Sequence, residues 1–160
     1  ISYGLDFGFT AGPTTLVALY KHDINIYIDE LIYERGLTNQ DIANKIKLLG
    51  ITRNIEIFAD SSEPKSIEEI FRMGNINIKG AKKGVDSVRI GIDIMKRYKI
   101  HITKRSENTI KEFRNYKWIK DKNNEITNKP LDAYNHTIDA VRYICLNKLL
   151  VSYSGKYYIS

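Results

Sequence analysis

The sequence predicts an α/β domain. Its mixed sheet opens as three antiparallel strands and continues as strands alternating with helices, with helices on both faces. Three observations predict it. The first 35 residues carry β-rich runs separated by short turns. After Thr38 the apolar period switches to helical spacing. From there short β-branched runs alternate with amphipathic stretches, and such alternation places crossover helices on both faces of a sheet.

Each element follows from local chemistry. Residues 2–7 form the first strand, closed by a loop over residues 8–13. Residues 14–20 are apolar and β-branched; His22 and Asp23 make a tight turn, and residues 24–33 return as a third strand. Thr38 is an N-cap with Asp41 three residues later, Ile42, Ile46 and Leu49 form the buried stripe, and Gly50 is the stop. Residues 55–60 are a buried strand. Pro64 then sits in the first turn of a helix, where its missing N–H costs nothing, with Ile67, Ile70 and Phe71 as the apolar stripe. Residues 76–78 form a short strand, followed by a basic loop over residues 79–84. Asp86 or Ser87 caps a helix that runs to about residue 98, with Val88, Ile92 and Met95 inward. Residues 100–102 are a last short strand, 108–118 a helix, 121–124 a loop or hairpin turn, and 133–150 a final helix. These divisions give one domain over residues 1–150 and a frayed or trimmed tail over 151–160.

Composition narrows the function. The 160 residues carry 25 Lys and Arg against 19 Asp and Glu, a net charge of +6. An excess of that size is weak support for nucleic-acid binding. The lone Cys145 excludes an intrachain disulfide, and with only His22, His101 and His136 beside it no Cys/His zinc cluster can form. No apolar run approaches the roughly 20 residues that span a bilayer, and nothing resembles a signal peptide. No membrane partner is expected. The chain opens on Ile1, without Met and inside a strand, which suggests a piece of a longer polypeptide.

Acidic residues carry the strongest chemical signal. Asp6 lies in the first strand among Tyr3, Leu5 and Phe7, where a charge is costly unless it is paired, metal-bound or at the rim of the sheet. Asp60 ends the apolar run Ile55, Ile57 and Phe58, at the strand end where ligands bind in α/β sheets; a turn-forming or N-cap role is the competing explanation. Asp132, His136 and Asp139 share one face of the last helix, opposite the apolar Ile138, Val141, Cys145 and Leu149, although capping and solvent exposure explain a polar stripe equally simply. Together the groups converge on one rim of the sheet. Crowded carboxylates repel, and a hard divalent ion such as Mg²⁺ or Mn²⁺ removes the penalty.

Four stretches make a specific resemblance. Tyr3-Gly4-Leu5-Asp6-Phe7-Gly8-Phe9 resembles the first metal motif of the nuclease domain of phage terminase large subunits. The run from Phe58 through Asp60 to Ile67 resembles its second, and Asn135 through His136 and Asp139 to Tyr143 its third. Lys83 to Ile92 resembles the stretch between. The order and spacing agree from about Tyr3 to Leu150. The resemblance implies a ribonuclease H-like fold and metal-dependent endonucleolytic cleavage of double-stranded viral DNA during genome packaging, in the cytoplasm of an infected bacterial host. It carries the catalytic and metal-binding roles to Asp6, Asp60 and Asp139, with His136 beside the metal, and implies two Mg²⁺ or Mn²⁺ ions. Asp6 then bridges both ions, Asp60 holds one, and Asp139 with His136 holds the other. The ATPase motor, portal and small terminase subunit are the partners it implies in a full-length protein; the Gly-x-x-x-x-Gly-Lys-Ser/Thr loop of an ATPase is absent here.

Glu63 is a candidate outer partner of the metal site, and its place at a helix start is equally satisfied by the helix dipole. Asp132 orients the His136 imidazole or caps the helix. Lys79, Lys82 and Lys83, clustered around Gly80 and Gly84, are candidate phosphate contacts, with a solvated surface loop as the alternative. Lys104, Arg105, Lys111, Arg114, Lys117, Lys120 and Lys122 form a more diffuse basic region; Phe113, Tyr116 and Trp118 beside it suit the core better than base stacking. Rival functions are another ribonuclease H-like nuclease, such as a resolvase, and a catalytically inactive domain that binds DNA or a packaging partner. A carboxylate-metal phosphatase for small substrates is disfavoured by the basic loop.

Overall fold

The fold is that of a computed structural model, which describes residues 1–9, 12–120, 122–130 and 133–150. In chain order these form β1 (Ser2–Asp6), β2 (Thr14–His22), β3 (Asn25–Glu34), α1 (Asn39–Leu48), β4 (Ile57–Ala59), α2 (Pro64–Arg72), β5 (Ile78–Gly80), α3 (Ser87–Met95), β6 (Lys99–Ile102), α4 (Glu107–Asn115), β7 (Trp118–Lys120), β8 (Ile126–Pro130) and α5 (His136–Ile144), which continues as a π-helical turn, Cys145–Leu149. The main sheet has the order β5-β4-β1-β2-β3-β6. β1, β2 and β3 are antiparallel neighbours, β4 and β5 run parallel to β1, and β6 runs parallel to β3. The expected mixed sheet is therefore present, with β1 inside it.

Side-chain alternation along β1 sets the layers. Tyr3 and Leu5 point into one core with Leu16, Ile32 and Ile57, covered by Ile42 and Ile46 of α1 and Ile70 of α2. The opposite core joins Val17, Ile26, Ile28 and Phe58 to Ile94 of α3 and Ile138, Val141 and Ile144 of α5. Full burial of each such aliphatic side chain is worth about 1.5–3 kcal/mol. Gly4 lets α5 lie directly on β1: a Cβ there would stand 2.0 Å from the Ala140 carbonyl oxygen. The N-terminal end of α5 is tied to β2 by the Thr15 hydroxyl, which donates to the His136 carbonyl at 3.1 Å.

Several expected boundaries move. Thr38 and Asp41 form the expected capping box, but Leu49 falls at the C-cap, past the buried stripe, and is 43 % exposed; Phe71 is 48 % exposed. β4 is shorter than residues 55–60, because Ile55 is drawn into a turn by its N–H bond to the Thr52 carbonyl. β5 takes in Lys79 and Gly80, so the basic segment begins inside the sheet. α3 stops at Met95, since Lys99 is already pairing alongside Ile24. α4 ends at Asn115 because Tyr116 is extended; Trp118 belongs to the hairpin β7–β8 and not to a helix. Residues 122–124, within the stretch expected to form a loop or hairpin turn, lie in the turn between these strands. α5 starts at His136, with Tyr134 at φ 55 just before it. The expected tail, 151–160, lies outside the described residues, as does Asp132.

Candidate active site

Register explains how two carboxylates meet. β1 and β4 run in parallel with Gly4 beside Phe58 and Leu5 beside Ala59, so the next step places Asp6 beside Asp60. Adjacent strands lie about 4.8 Å apart. The Asp60 N–H bonds the Leu5 carbonyl at 3.1 Å, which holds the strand end in line. α5, laid on the same face of β1, brings His136, Asp139, Arg142 and Tyr143 over the pair. His136 Nδ1 is 3.1 Å from Asp6 Oδ2, and the Tyr143 hydroxyl donates to Asp6 Oδ1 at 3.2 Å. Arg142 grips Asp139 Oδ1 through Nε at 3.1 Å and Nη2 at 2.9 Å. Asp60 Oδ1 accepts from the Ser62 N–H at 2.9 Å and from the Lys83 ammonium at 2.5 Å.

The electrostatics are those of a buried acidic cluster in which each carboxylate has one basic partner. Asp6 is 7 % exposed. Burial raises its carboxyl above the usual carboxylate range, and the charges of Asp139 and Asp60 push the same way against the lowering influence of His136. Asp139 is also raised, by burial first, with Arg142 and Lys83 opposing and Asp60 adding. His136 is raised chiefly by its bond to Asp6. Burial pushes Asp60 upward too, but its bonds to Lys83 and Ser62 outweigh that and leave it below the usual range. Burial and the three carboxylates drive Tyr143 far up, so its hydroxyl stays a donor to Asp6.

The four residues singled out for metal chemistry are thus brought together. Their donor set, three carboxylates and one imidazole, fits a hard divalent ion. Among the described residues, no three His, Cys, Asp or Glu side chains are arranged to grip an ion as they stand. Each carboxylate is turned instead toward a partner within the protein: Asp6 to His136, Asp139 to Arg142, Asp60 to Lys83. Glu63 is exposed at the N-cap of α2: its N–H donates to the Asp60 carbonyl at 3.2 Å, while its carboxylate accepts from the Ser66 hydroxyl at 3.5 Å and not from a member of the cluster among the described residues. A separate cleft of about 500 Å³, lined by residues such as Phe7, Leu37, Gln40 and Glu69, contains none of the acidic triad.

Of the basic residues, Lys79 pairs with Glu56, Lys82 is exposed with its N–H bonded to Asn147, and Lys83 turns inward. Arg105 pairs with Asp29. Phe113 and Tyr116 pack against the core, as their composition suggested. Sequence reasoning missed three residues. Arg142 is 3 % exposed, its stem passes where Gly91 has no Cβ, and its Nη1 is buried with no hydrogen-bond partner among the described residues. Tyr143 closes the third motif, and its spacing, four residues from Asp139 and seven from His136, puts it on the same helical side. Lys148 joins Lys79 on Glu56, and both ammonium groups lie over the Phe58 ring, at 5.6 and 5.1 Å. No spacing signal marked it.

Comparison with known proteins now gives the arrangement a family. The terminase RNAseH-like domain matches residues 6–146. The terminase large subunit of Bacillus phage SPP1 is 38 % identical over 152 residues, covering 89 % of this chain and 35 % of that protein. The PBSX phage terminase large subunit of Bacillus subtilis (strain 168) is 32 % identical over 143 residues, covering 88 % of this chain and 33 % of that protein. The chain therefore spans about a third of the length of these relatives. The crystal structure of the nuclease domain of the SPP1 large terminase with bound Mn superposes with a TM-score of 0.82 at 33 % identity, over 90 % of this chain and 84 % of that one. A family match over nearly the whole chain, with the sheet order and acidic rim that accompany it, means that this chain belongs to the terminase RNase H-like domain family.

Proposed function

We propose that this chain is the nuclease domain of a phage large terminase, a metal-dependent endonuclease that hydrolyses phosphodiesters of double-stranded DNA during genome packaging. The observation that carries the reading is the convergence of Asp6, Asp60 and Asp139, from two neighbouring strands and the last helix, on one rim of the sheet. The Mn bound by the SPP1 nuclease domain supports a divalent metal as the cofactor. Asp6, Asp60 and Asp139 are the proposed ligands of two Mg²⁺ or Mn²⁺ ions, with His136 beside them. Such ions, when bound, lower the pKa of a water nucleophile and neutralise charge on the phosphate.

The chain's own residues supply positioning. His136 and Tyr143 hold the two oxygens of Asp6, and Arg142 fixes Asp139 so that its other oxygen is left to a ligand. The Thr15 bond to the His136 carbonyl and the close seat of Ala140 on Gly4 keep α5 from sliding along β1. Lys79 and Lys148, which pair with Glu56 at the end of β4 away from Asp60, and the exposed Lys82 are the cations proposed to meet DNA phosphates, whose recognition carries little sequence preference. In the complete protein the proposed neighbours are an ATPase motor, a portal and a small terminase subunit.

The test is Asp6→Asn in a plasmid-cleavage assay with Mn²⁺. Cleavage should fall at least about a thousandfold, about 4 kcal/mol of transition-state stabilisation, with the circular dichroism spectrum unchanged. Products of the parent chain should carry 5′-phosphate and 3′-hydroxyl ends. Metal-dependent nicking retained by the variant overturns the reading.

A further inference from the structure

We propose that Lys83 is the resident cation of the acidic cluster: its ammonium holds Asp60 while no divalent ion is bound, and a divalent ion loads by displacing it. This rests on the nuclease reading above. The Lys83 ammonium sits 2.5 Å from Asp60 Oδ1 and 4.7 Å from the centre of the Tyr143 ring, whose hydroxyl in turn holds Asp6. Its charge also reaches Asp139. One ammonium thus bonds Asp60, acts on Asp139 and lies on the ring whose hydroxyl holds Asp6, and an aromatic face attracts cations of either kind.

The same placement accounts for the lack of a ready three-ligand grip among the described residues. Asp60 Oδ1 already serves Lys83 and the Ser62 N–H, so the carboxylate is aimed at the lysine. A divalent ion entering beside it meets a like charge, and one of the two must leave. The segment that carries Lys83 is suited to leave. No atom lies within 4 Å of where a Gly84 Cβ would be, and Val85 is 90 % exposed. Withdrawal of Lys83 takes its ammonium off Asp60 and the Tyr143 ring, and the exposed Val85 that moves with it has little burial to lose. The device keeps Asp60 ionised and neutralised between loading events, and sets a threshold of metal concentration below which the site stays closed.

Two measurements on the 160-residue chain test this. Lys83→Met removes the charge at nearly equal length, and Lys83→Arg keeps it. In calorimetric titration with Mn²⁺ and no DNA, Lys83→Met is expected to bind about tenfold more tightly than the parent, the order of one charge-assisted hydrogen bond, and Lys83→Arg within about twofold of it. In nitrogen-15 NMR of lysine ammonium groups, the Lys83 signal, assigned by its loss in Lys83→Arg, should move to the position of free lysines on addition of Mg²⁺. Equal or weaker Mn²⁺ binding by a folded Lys83→Met overturns the proposal. It leaves the nuclease reading standing when Asp6→Asn has lost Mn²⁺ binding. Absence of Mn²⁺ binding in every chain overturns both. Should Lys83→Met fail to fold, an ammonium signal that stays in place on Mg²⁺ addition overturns the proposal by itself.

Discussion

Two groups of acidic side chains are enclosed by this fold, and they are held in opposite ways. Glu112, 1 % exposed, accepts from the Thr137 N–H at 2.7 Å, the Thr137 hydroxyl at 2.6 Å and the Tyr33 hydroxyl at 3.1 Å. Glu30 accepts from the Thr109 N–H at 2.7 Å, the Thr109 hydroxyl at 2.8 Å and Asn108 at 2.7 Å. Neutral donors satisfy both, and each carboxylate caps the first turn of a helix from outside: Glu112 for α5 and Glu30 for α4, whose own N-cap residues make no side-chain cap bond. Asp6, Asp60 and Asp139 instead rely on cations and imidazole, and they crowd one another. The first group is satisfied by neutral donors, and the second is held by basic partners while burial and mutual repulsion keep Asp6 and Asp139 raised. A buried carboxylate is thus diagnostic of function by what its partners are, not by its burial.

The sharpest way to break the comparison is to delete one member of each group. Glu112→Ala strands the Thr137 N–H and two hydroxyls and should cost about 3 kcal/mol in urea denaturation. Asp6→Ala also strands the Tyr143 hydroxyl and His136, but it relieves burial of a charge and repulsion from Asp139 and Asp60, so the net change should be less than about 1 kcal/mol. Equal losses would erase the distinction. A second effect comes from ligand binding. Mn²⁺ at about a hundred times its dissociation constant should stabilise the parent chain by about 2.7 kcal/mol, and removal by chelator should reverse it. Glu30→Ala should keep that gain and Asp6→Asn should lose it, as read by thermal melting.

A smaller expected effect is the direct cost of Glu30→Ala, about 2 kcal/mol, since Glu30 is only partly buried. The smallest concerns Cys145, in the same core as Tyr143 but outside either acidic group. Burial pushes its thiol from 9.0 up to about 12. The folded chain holds this proton more tightly, so the associated stability is intact below about pH 9 and declines as pH climbs toward 12. Iodoacetamide at pH 8 should therefore leave the native thiol unmodified and alkylate it on unfolding, as followed by mass spectrometry. Rapid alkylation of the native chain would contradict this burial.

Much of the site was legible because its residue types are out of place locally. Asp6 among apolar strand neighbours and Asp60 at a strand end are visible in a single sequence, and helical spacing puts His136 and Asp139 on one side of α5. A loop or hairpin turn after the expected helix was legible, but the strand that replaces the end of that helix was not. Trp118 has no local reason to leave a helix, and its partner strand lies across a turn. The Arg142 grip, the Tyr143 bond and the inward turn of Lys83 depend on α3, α5 and β4 being docked, which no window of sequence contains.

By itself the sequence determined the order of the main-sheet strands and of the helices, the Thr38 cap and the short list of acids worth suspecting, because period, caps and misplaced charges are properties of near neighbours. Tertiary structure alone decided which cation meets which acid, and that Glu112 and Glu30 hold helix ends while Asp6, Asp60 and Asp139 face each other. Those outcomes turn on a parallel register between strands some fifty residues apart and on one helix lying against Gly4. Charge interactions fall off with distance through space, and distance through space is what the linear chain does not state.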